Sequence, residues 1–214
     1  TKKYAATAFL AAALAMAALI GLFSFLRDTV KNEAEFTRKI DADLLGVVYH
    51  EKKKKNSSML ITNPARSFLY VESLKRIASR VRGRLDRKGG KVLLVTSVAE
   101  NEGKSTVTAN LALALARQGK RVLLIDADLH KAALYKLLGA KPTRVLAAIL
   151  RGKAPCEPEE TAQSGLYAIY STTAQSGASE LLSSRGMRSL LEEMRQAVDI
   201  ILIDTAPMGV FSDA

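Results

Sequence analysis

The chain has 214 residues, 48% hydrophobic and 25% charged, which is long enough to bury one sizeable core. Its single cysteine, Cys156, excludes an internal disulfide and fits a reducing compartment. The formal net charge of +11 favours an anionic partner, such as membrane headgroups, a nucleotide or a nucleic acid. The first residue is Thr1 and the last residues closely follow an apolar run, so we expect the chain to be a fragment.

An uninterrupted apolar run lies near the N-terminus, from Ala5 to Leu26. It contains no charge and no proline, and a helix of this length crosses a hydrocarbon core of about 30 Å. A core helix of a soluble protein would carry a polar stripe, and a cleaved signal peptide would have a shorter apolar run. The run therefore predicts a transmembrane helix within residues 1–26.

Residues 27–64 are predicted to form a charged connector after this span. Positive residues accumulate on the cytoplasmic side of a membrane span. The connector after the span carries more of them than the segment before it, which has Lys2 and Lys3, so the C-terminal side is predicted to be cytoplasmic. Its lysine run either contacts acidic lipid headgroups, at about 1 kcal/mol per basic residue, or is a solvated linker. The basic residues of the connector are Arg27, Lys31, Arg38, Lys39 and Lys52 to Lys55.

The rest of the chain alternates between strand-like and helix-like patterns. Apolar residues at helical spacing from Ser67 to Leu85 predict an amphipathic helix that packs on the following domain or on a neighbouring subunit. Continuous apolar runs are typical of strands buried on both faces of a parallel sheet, so the pattern predicts a doubly wound α/β domain. The predicted strands are 92–97, 121–128, 166–171 and 199–207, and the predicted helices between them are 105–118, 132–138 and 187–197.

The stretch SVAENEGKST, residues 97–106, lies between the first of these strands and a helix. It resembles the phosphate-loop pattern G-x-x-x-x-G-K-[ST], with Val98 in place of the first glycine. Gly103 lets the backbone approach a phosphate, Lys104 supplies a positive charge and Ser105 offers a hydroxyl to Mg²⁺. Asn101 tolerates a positive φ in such a loop. The predicted nucleotide-binding residues are Glu102, Gly103, Lys104, Ser105 and Thr106.

Three aspartates, Asp126, Asp128 and Asp204, follow the apolar cores of two predicted strands. Ligands of an open parallel sheet gather beyond the carboxyl ends of its strands, so all three carboxylates can reach the phosphate loop. Mg²⁺ takes one or two carboxylates together with phosphate oxygens, and a carboxylate can also accept a proton from an attacking hydroxyl. The alternative is that each aspartate only caps a strand or helix end. The sequence favours a nucleotide site with magnesium.

These stretches resemble the bacterial tyrosine kinases of capsule and exopolysaccharide assembly, the polysaccharide co-polymerase autokinases. The resemblance is close over 93–139, which includes the phosphate loop and the VLLIDAD strand. It extends to SELL and the IILID strand within 176–214, and upstream to 63–77 and to the span with its connector. It implies an α/β fold: a parallel-sheet P-loop nucleotide-binding domain, truncated at its C-terminus, over 65–214 and preceded by a transmembrane helix.

The resemblance also implies roles for individual residues. Lys104, Ser105 and Thr106 would hold ATP and magnesium. Asp126 would orient or deprotonate the tyrosine hydroxyl, and Asp128 and Asp204 would hold magnesium directly or through water. The implied catalytic residues are Lys104, Asp126, Asp128 and Asp204, and the implied metal ligands are Ser105, Asp128 and Asp204.

The activity implied by the family is ATP-dependent autophosphorylation on tyrosine, which regulates polysaccharide polymerisation, chain length and export. The implied partners are other copies of the chain in a ring that phosphorylates in trans, the polymerase and export machinery, a cognate tyrosine phosphatase and membrane lipids. The implied location is the inner membrane, with the kinase domain in the cytoplasm. No nucleic acid is expected, because no basic motif interleaved with aromatic residues is present.

The chain departs from the family pattern in several places, and two alternatives stay open. The subunit-joining glutamate–arginine motif is partial, as Glu72, Lys75 and Ala78, and the tyrosines form no C-terminal cluster. A ParA/MinD-type membrane-associated ATPase switch without kinase activity would carry an additional lysine where this chain has Ala99. An inert membrane-anchored scaffold would regulate polymer length without chemistry. The other positions that differ from the family are Glu100, Asn101, His130, Ala132 and Ala206.

Overall fold

The computed structural model describes residues 2–26, 35–36, 40–52 and 57–210, which fall into two compact units, 1–44 and 45–214. In the first unit, helix α1 is Lys2–Leu26, as the apolar run predicts. Its window Ala6–Ser24 has a mean hydropathy of 2.2 and none of it is buried, so α1 does not fit the alternative of a core helix. By length and composition it can cross a membrane.

Most of the basic residues that predict orientation and lipid contact lie outside the described residues, namely Arg27, Lys31, Arg38, Lys39 and Lys53 to Lys55. The second part of the predicted connector differs from a solvated linker, because it packs on the domain. Leu60 and Ile61 of the connector are buried in the core of the domain. We call residues 57–61 the strap.

One buried side chain, Asn110, ties the strap to the domain. Its Oδ1 accepts a hydrogen bond from the Ile61 amide at 2.7 Å, and its Nδ2 donates to the Met59 carbonyl at 3.1 Å. The Tyr70 hydroxyl donates to the same Met59 carbonyl at 2.9 Å. Buried polar groups in proteins are paired in this way, because an unpaired one is costly. The strap is therefore part of the folded unit.

Helix α2, Phe68–Lys88, confirms the predicted amphipathic helix and ends three residues later than predicted. Ser67 caps its N-terminus by accepting from the Tyr70 amide, and Gly89, at φ 62°, ends it in the left-handed conformation. Ala78 is fully buried, so the third position of the partial subunit motif faces the core of this unit.

The alternating pattern of strands and helices is confirmed, with bounds shifted by up to three residues. The sequence did not predict the short elements α5, β3 and α6. The elements after α2 are β1 Val92–Val95, α3 Lys104–Arg117, β2 Val122–Asp126, α4 Leu134–Leu138, α5 Leu146–Leu150, β3 Glu159–Glu160, β4 Leu166–Ile169, α6 Ala178–Leu182, α7 Arg185–Ala197 and β5 Ile200–Asp204.

The strands form one sheet in the order β1-β5-β2-β4-β3. The four predicted strands pair in parallel, whereas β3 adds an antiparallel edge beside β4. The last strand of the sequence, β5, lies between β1 and β2, and Asp204 pairs in register with Asp126 and with Val95. The carboxyl ends of β1, β2 and β5 therefore meet at the same edge of the sheet.

Helices cover both faces of the sheet. The core on one face joins α2, α3 and α4 to Val122, Leu124 and Leu202, and the core on the other face joins α5 and α7 to Leu123 and Ile201. Strands β2 and β5 are buried along their whole length, as their continuous apolar runs predict. For β1 that prediction is wrong, because β1 lies at an edge of the sheet and Leu94 is 47% exposed.

Candidate active site

The phosphate loop, residues 97–103, links β1 to α3 through two residues with positive φ. Asn101 has φ 62° and Gly103 has φ 88°, and α3 begins at the next residue, Lys104. Asn101 therefore adopts the positive φ that asparagine was expected to tolerate at this position. Because the first amides of a helix have no intrahelical acceptor, the loop presents free N–H groups at the start of α3, as anion binding requires.

The segment after β5 fastens the start of this loop. The Gly209 amide donates to the Val98 carbonyl at 3.1 Å, and the Met208 amide donates to the Ser97 carbonyl at 2.9 Å. A Cβ atom at Gly209 would overlap the Val98 carbonyl oxygen. The Glu102 side chain also reaches back to accept from the Val98 amide at 3.1 Å. The backbone therefore keeps this turn in place without the expected first glycine.

Lys104 brings two of the predicted acids together. Its Nζ lies 3.0 Å from Asp204 Oδ1 and 3.5 Å from Asp128 Oδ2, and its side chain is only 7% exposed. The Thr108 hydroxyl, one helical turn beyond Lys104, donates to the same Asp204 oxygen at 3.0 Å. The Lys104 ammonium also contacts Ser105 Oγ at 3.3 Å. The charges of this cluster are buried and paired.

Asp126 pairs in register with Asp204 at the end of β2 and is fully buried. Its Oδ2 accepts a hydrogen bond from the Leu134 amide at 3.2 Å, whereas Oδ1 has no partner. Burial, reinforced by the neighbouring Asp204 charge, raises the pKa of Asp126 to about 8. Burial also raises the pKa of Asp204, while Lys104 opposes the shift. Asp126 is therefore protonated at neutral pH more than an ordinary aspartate.

A cleft of about 580 Å³ opens over the phosphate loop. All five predicted nucleotide-binding residues line it, and so does Asp128. Asp126 and Asp204 do not line it, because both are fully buried at the ends of their strands. The lining residues are Ser97, Glu100, Asn101, Glu102, Gly103, Lys104, Ser105, Thr106, Asp128, His130, Lys131, Ala133 and Pro207.

The donors around Lys104 fit a hard cation held together with phosphate. Asp204 Oδ2 is buried and has no hydrogen-bond partner, so one carboxylate oxygen is available for a further contact. Asp128 and the Ser105 hydroxyl add oxygen donors beside the same ammonium group. Within the described residues, no group of three or more His, Cys, Asp or Glu forms an all-protein metal site. This pattern fits Mg²⁺, which usually binds through few carboxylates and substrate phosphates.

Two features of the site were not predicted. Thr108 was missed, although its spacing of four residues from Lys104 places both side chains on one face of α3. The ion pair between Lys131 and Glu100, at 3.2 Å, was also missed, because only the fold places the β2–α4 loop beside the phosphate loop.

The residues that line the cleft lie within a stretch of the chain that matches a known nucleotide-binding domain. Residues 93–209, just over half of the chain, match the CobQ/CobB/MinD/ParA nucleotide binding domain family. The tyrosine-protein kinase ptk of Acinetobacter johnsonii is 29% identical over 204 residues, which is 90% of this chain and 28% of that protein. The tyrosine-protein kinase YwqD of Bacillus subtilis is 38% identical over 126 residues, 58% of this chain and 53% of that protein.

Among solved structures, the BceF tyrosine kinase domain superposes with a TM-score of 0.74 at 27% identity, covering 84% of this chain and 78% of that one. The chain spans less than two thirds of the length of either curated relative. The loop, the strand-end acids and these matches lead to one assignment. The chain belongs to the CobQ/CobB/MinD/ParA nucleotide-binding family and, within it, to the bacterial tyrosine-kinase branch.

Proposed function

We propose that this chain carries the nucleotide-binding core of an ATP-dependent protein-tyrosine autokinase that regulates capsular or exopolysaccharide polymerisation, chain length and export. The observation that carries the proposal is the buried cluster of Lys104, Asp128 and Asp204 at the phosphate loop. The cluster alone fits any ATP-dependent phosphoryl transfer. The proposal that tyrosine accepts the phosphoryl group rests on the relatives, which are named tyrosine kinases.

The phosphate loop would bind the triphosphate of ATP. Amides at Gly103 and in the first turn of α3 would donate to phosphate oxygens. Lys104 would leave its carboxylate partners and place its ammonium group on the β- and γ-phosphates. Transfer of the γ-phosphoryl group then depends on positioning and charge neutralisation rather than on a covalent enzyme intermediate.

Ser105, Asp128 and Asp204 would hold the magnesium ion, with waters completing its coordination. When bound, Mg²⁺ supplies positive charge that neutralises the phosphate oxygens. Thr108 would keep Asp204 oriented, because its hydroxyl donates to Oδ1 and leaves Oδ2 for another contact.

Asp126 would accept or orient the proton of the attacking tyrosine hydroxyl. At neutral pH a minority of Asp126 is ionised and able to accept the proton, and the raised pKa makes this ionised form a stronger base than an ordinary aspartate. Because Asp126 is fully buried and does not line the cleft, the segment between β2 and α4 must open for a hydroxyl to reach it. Asp126→Asn should therefore lower the rate of phosphotyrosine formation more than it weakens nucleotide binding.

The proposed setting is the inner membrane, with α1 as the span and the kinase domain in the cytoplasm. The length and hydropathy of α1 support the membrane association. The proposed partners are further copies in a ring that phosphorylates in trans, the polysaccharide polymerase and export machinery, and a cognate tyrosine phosphatase. The family relationship supports these partners, and no nucleic-acid partner is proposed.

The test uses the full chain in detergent micelles with ATP, Mg²⁺ and a tyrosine-containing acceptor polymer. We expect phosphotyrosine on the chain or the acceptor, and we expect Lys104→Met to abolish it. Lys153→Met is the matched control, because Lys153 is exposed and lies outside the cleft. ATP hydrolysis without phosphotyrosine would instead support the ATPase-switch alternative, and no ATP turnover would support the scaffold.

A further inference from the structure

A second cation lies at the opening of the nucleotide cleft. Lys131 belongs to the segment after β2, and its Nζ lies 3.2 Å from Glu100 Oε2 and 3.3 Å from Asn101 Oδ1. All three residues line the cleft together with Lys104. The Lys131 ammonium therefore bridges the segment after β2 to the tip of the phosphate loop.

The backbone on both sides of this bridge is fixed. The Lys131 amide donates to Asp128 Oδ1 at 2.8 Å, so the residue is anchored to an acid of the buried cluster. On the other side, the positive φ of Asn101 sets the direction of its side chain. The Lys131 side chain can therefore move while its backbone stays in place, because its ammonium group lies near solvent.

The contact itself is easily exchanged. The side chains of Lys131 and Glu100 are 62% and 44% exposed, and exposed ion pairs contribute little because water screens them. A nucleotide in the cleft would offer phosphate oxygens with several negative charges to the same ammonium group. Hydrogen bonds between an ammonium group and phosphate are among the stronger ones in proteins.

We propose that Lys131 is a second phosphate-binding lysine of this cleft, which leaves Glu100 and Asn101 for the nucleotide phosphates when nucleotide binds. The proposal rests on the nucleotide site described under the proposed function. It assigns an opposing role to Glu100, whose carboxylate competes with the phosphates for the same lysine. Replacing Glu100 should therefore strengthen nucleotide binding, whereas replacing Lys131 should weaken it.

The test measures the affinity of the full chain, in detergent micelles with Mg²⁺, for ADP carrying a fluorescent label on the ribose. We expect Lys131→Gln to weaken binding about tenfold and Lys131→Arg to restore most of it. We expect Glu100→Gln to tighten binding about threefold, and this gain to disappear in the double variant with Lys131→Gln. Lys153→Gln removes the same charge from an exposed lysine outside the cleft and is the matched control.

Four outcomes would overturn the proposal. One is that the Lys131→Gln and Lys153→Gln variants bind labelled ADP with equal affinity, because Lys131 would then act only through its long-range charge. Another is a Glu100→Gln gain that persists without Lys131, because the competition would then not involve this lysine. If Lys104→Met abolishes binding while Lys131→Gln does not weaken it, the nucleotide site stands and only this inference fails. A wild-type chain that binds no labelled ADP would refute both.

Discussion

The phosphate loop and the strand-end acids flank the same cleft but are stabilised in opposite ways. Residues 98–103 are exposed, and backbone hydrogen bonds from Met208 and Gly209 hold the start of the loop. Asp126 and Asp204 are fully buried, and their side chains are held by Lys104, Thr108 and the Leu134 amide. The conformation of the loop is therefore held mainly by backbone hydrogen bonds, whereas the positions of the acids are held by contacts of their side chains.

This difference explains where the sequence can depart from its family pattern. Val98 and Glu100 replace expected residues in the exposed loop, where a hydrogen bond to a carbonyl does not depend on the side chain. The aspartates are retained, because a buried carboxylate has no substitute with the same charge and reach. Substitutions should therefore lower the free energy of unfolding more at the acids than in the loop.

The largest effect is expected for Asp204→Ala. The change removes an acceptor that Lys104 and Thr108 share and leaves Asp128, at 3.5 Å, as the carboxylate beside the buried ammonium group, so the free energy of unfolding should fall by about 3 kcal/mol. Denaturant unfolding measures this. The control is Asp199→Ala, which removes an exposed ion pair with Arg121 and a hydrogen bond from the Arg121 amide, and should lower the free energy of unfolding by about 1 kcal/mol. Equal losses in the two variants would contradict the comparison.

Asp126→Asn should change how stability depends on pH. The folded chain holds a proton on Asp126 up to about pH 8, whereas the unfolded chain releases it near the ordinary value of 3.8. The stabilisation is therefore complete below about pH 4 and is lost as the pH rises towards 8. We expect the midpoint of thermal unfolding to fall between pH 5 and 8 in the wild-type chain and to fall less in the variant. Identical slopes would rule out a raised pKa at Asp126.

Gly209→Ala should perturb the phosphate loop from outside it. The new Cβ would overlap the Val98 carbonyl oxygen, so the loop must shift, at a cost of about 1–3 kcal/mol in the free energy of unfolding and a loss of nucleotide affinity. The control is Gly83→Ala in α2, where the nearest neighbour is the flexible Arg87 side chain at 3.6 Å. That change should stabilise by about 0.5–1 kcal/mol, because alanine favours a helix. The same sign in both variants would disprove a role for Gly209.

The smallest effect is expected within the loop, at Asn101. Asn101→Ala places a less tolerant residue at φ 62° and should cost about 1 kcal/mol, whereas Asn101→Gly should cost nothing or stabilise slightly. Thermal unfolding of both variants at neutral pH measures the difference. An alanine variant as stable as the glycine variant would mean that the positive φ carries no strain.

The sequence predicted those parts of the fold that depend on local pattern. Continuous apolar runs located β2, β4 and β5, and the parallel pairing then placed Asp126, Asp128 and Asp204 at one edge. The insertion of β5 between β1 and β2 depends on pairing between distant strands, which no local pattern encodes. The two-residue strand β3 and the five-residue helices α5 and α6 are too short to produce a periodic signal.

The candidate site was also predicted only in part. Its loop and acids follow from residue types at the ends of strands. The pairing of Thr108 with Asp204 and of Lys131 with Glu100 joins residues that are far apart in the sequence. The burial of Asp126 outside the lining of the cleft also follows only from the packing of α4, whose first amide holds its carboxylate.

The hydrogen bonds of Asn110 bear on where the chain can be shortened without destabilising the nucleotide-binding domain. A shortened chain beginning at residue 65 would lack the Ile61 amide and the Met59 carbonyl, leaving the buried Asn110 amide without two of its partners. It would also uncover the apolar surface beneath Leu60 and Ile61. Because Asn110 lies on α3, the helix that begins at Lys104, such a shortened domain would be destabilised on the element that carries the lysine of the buried cluster.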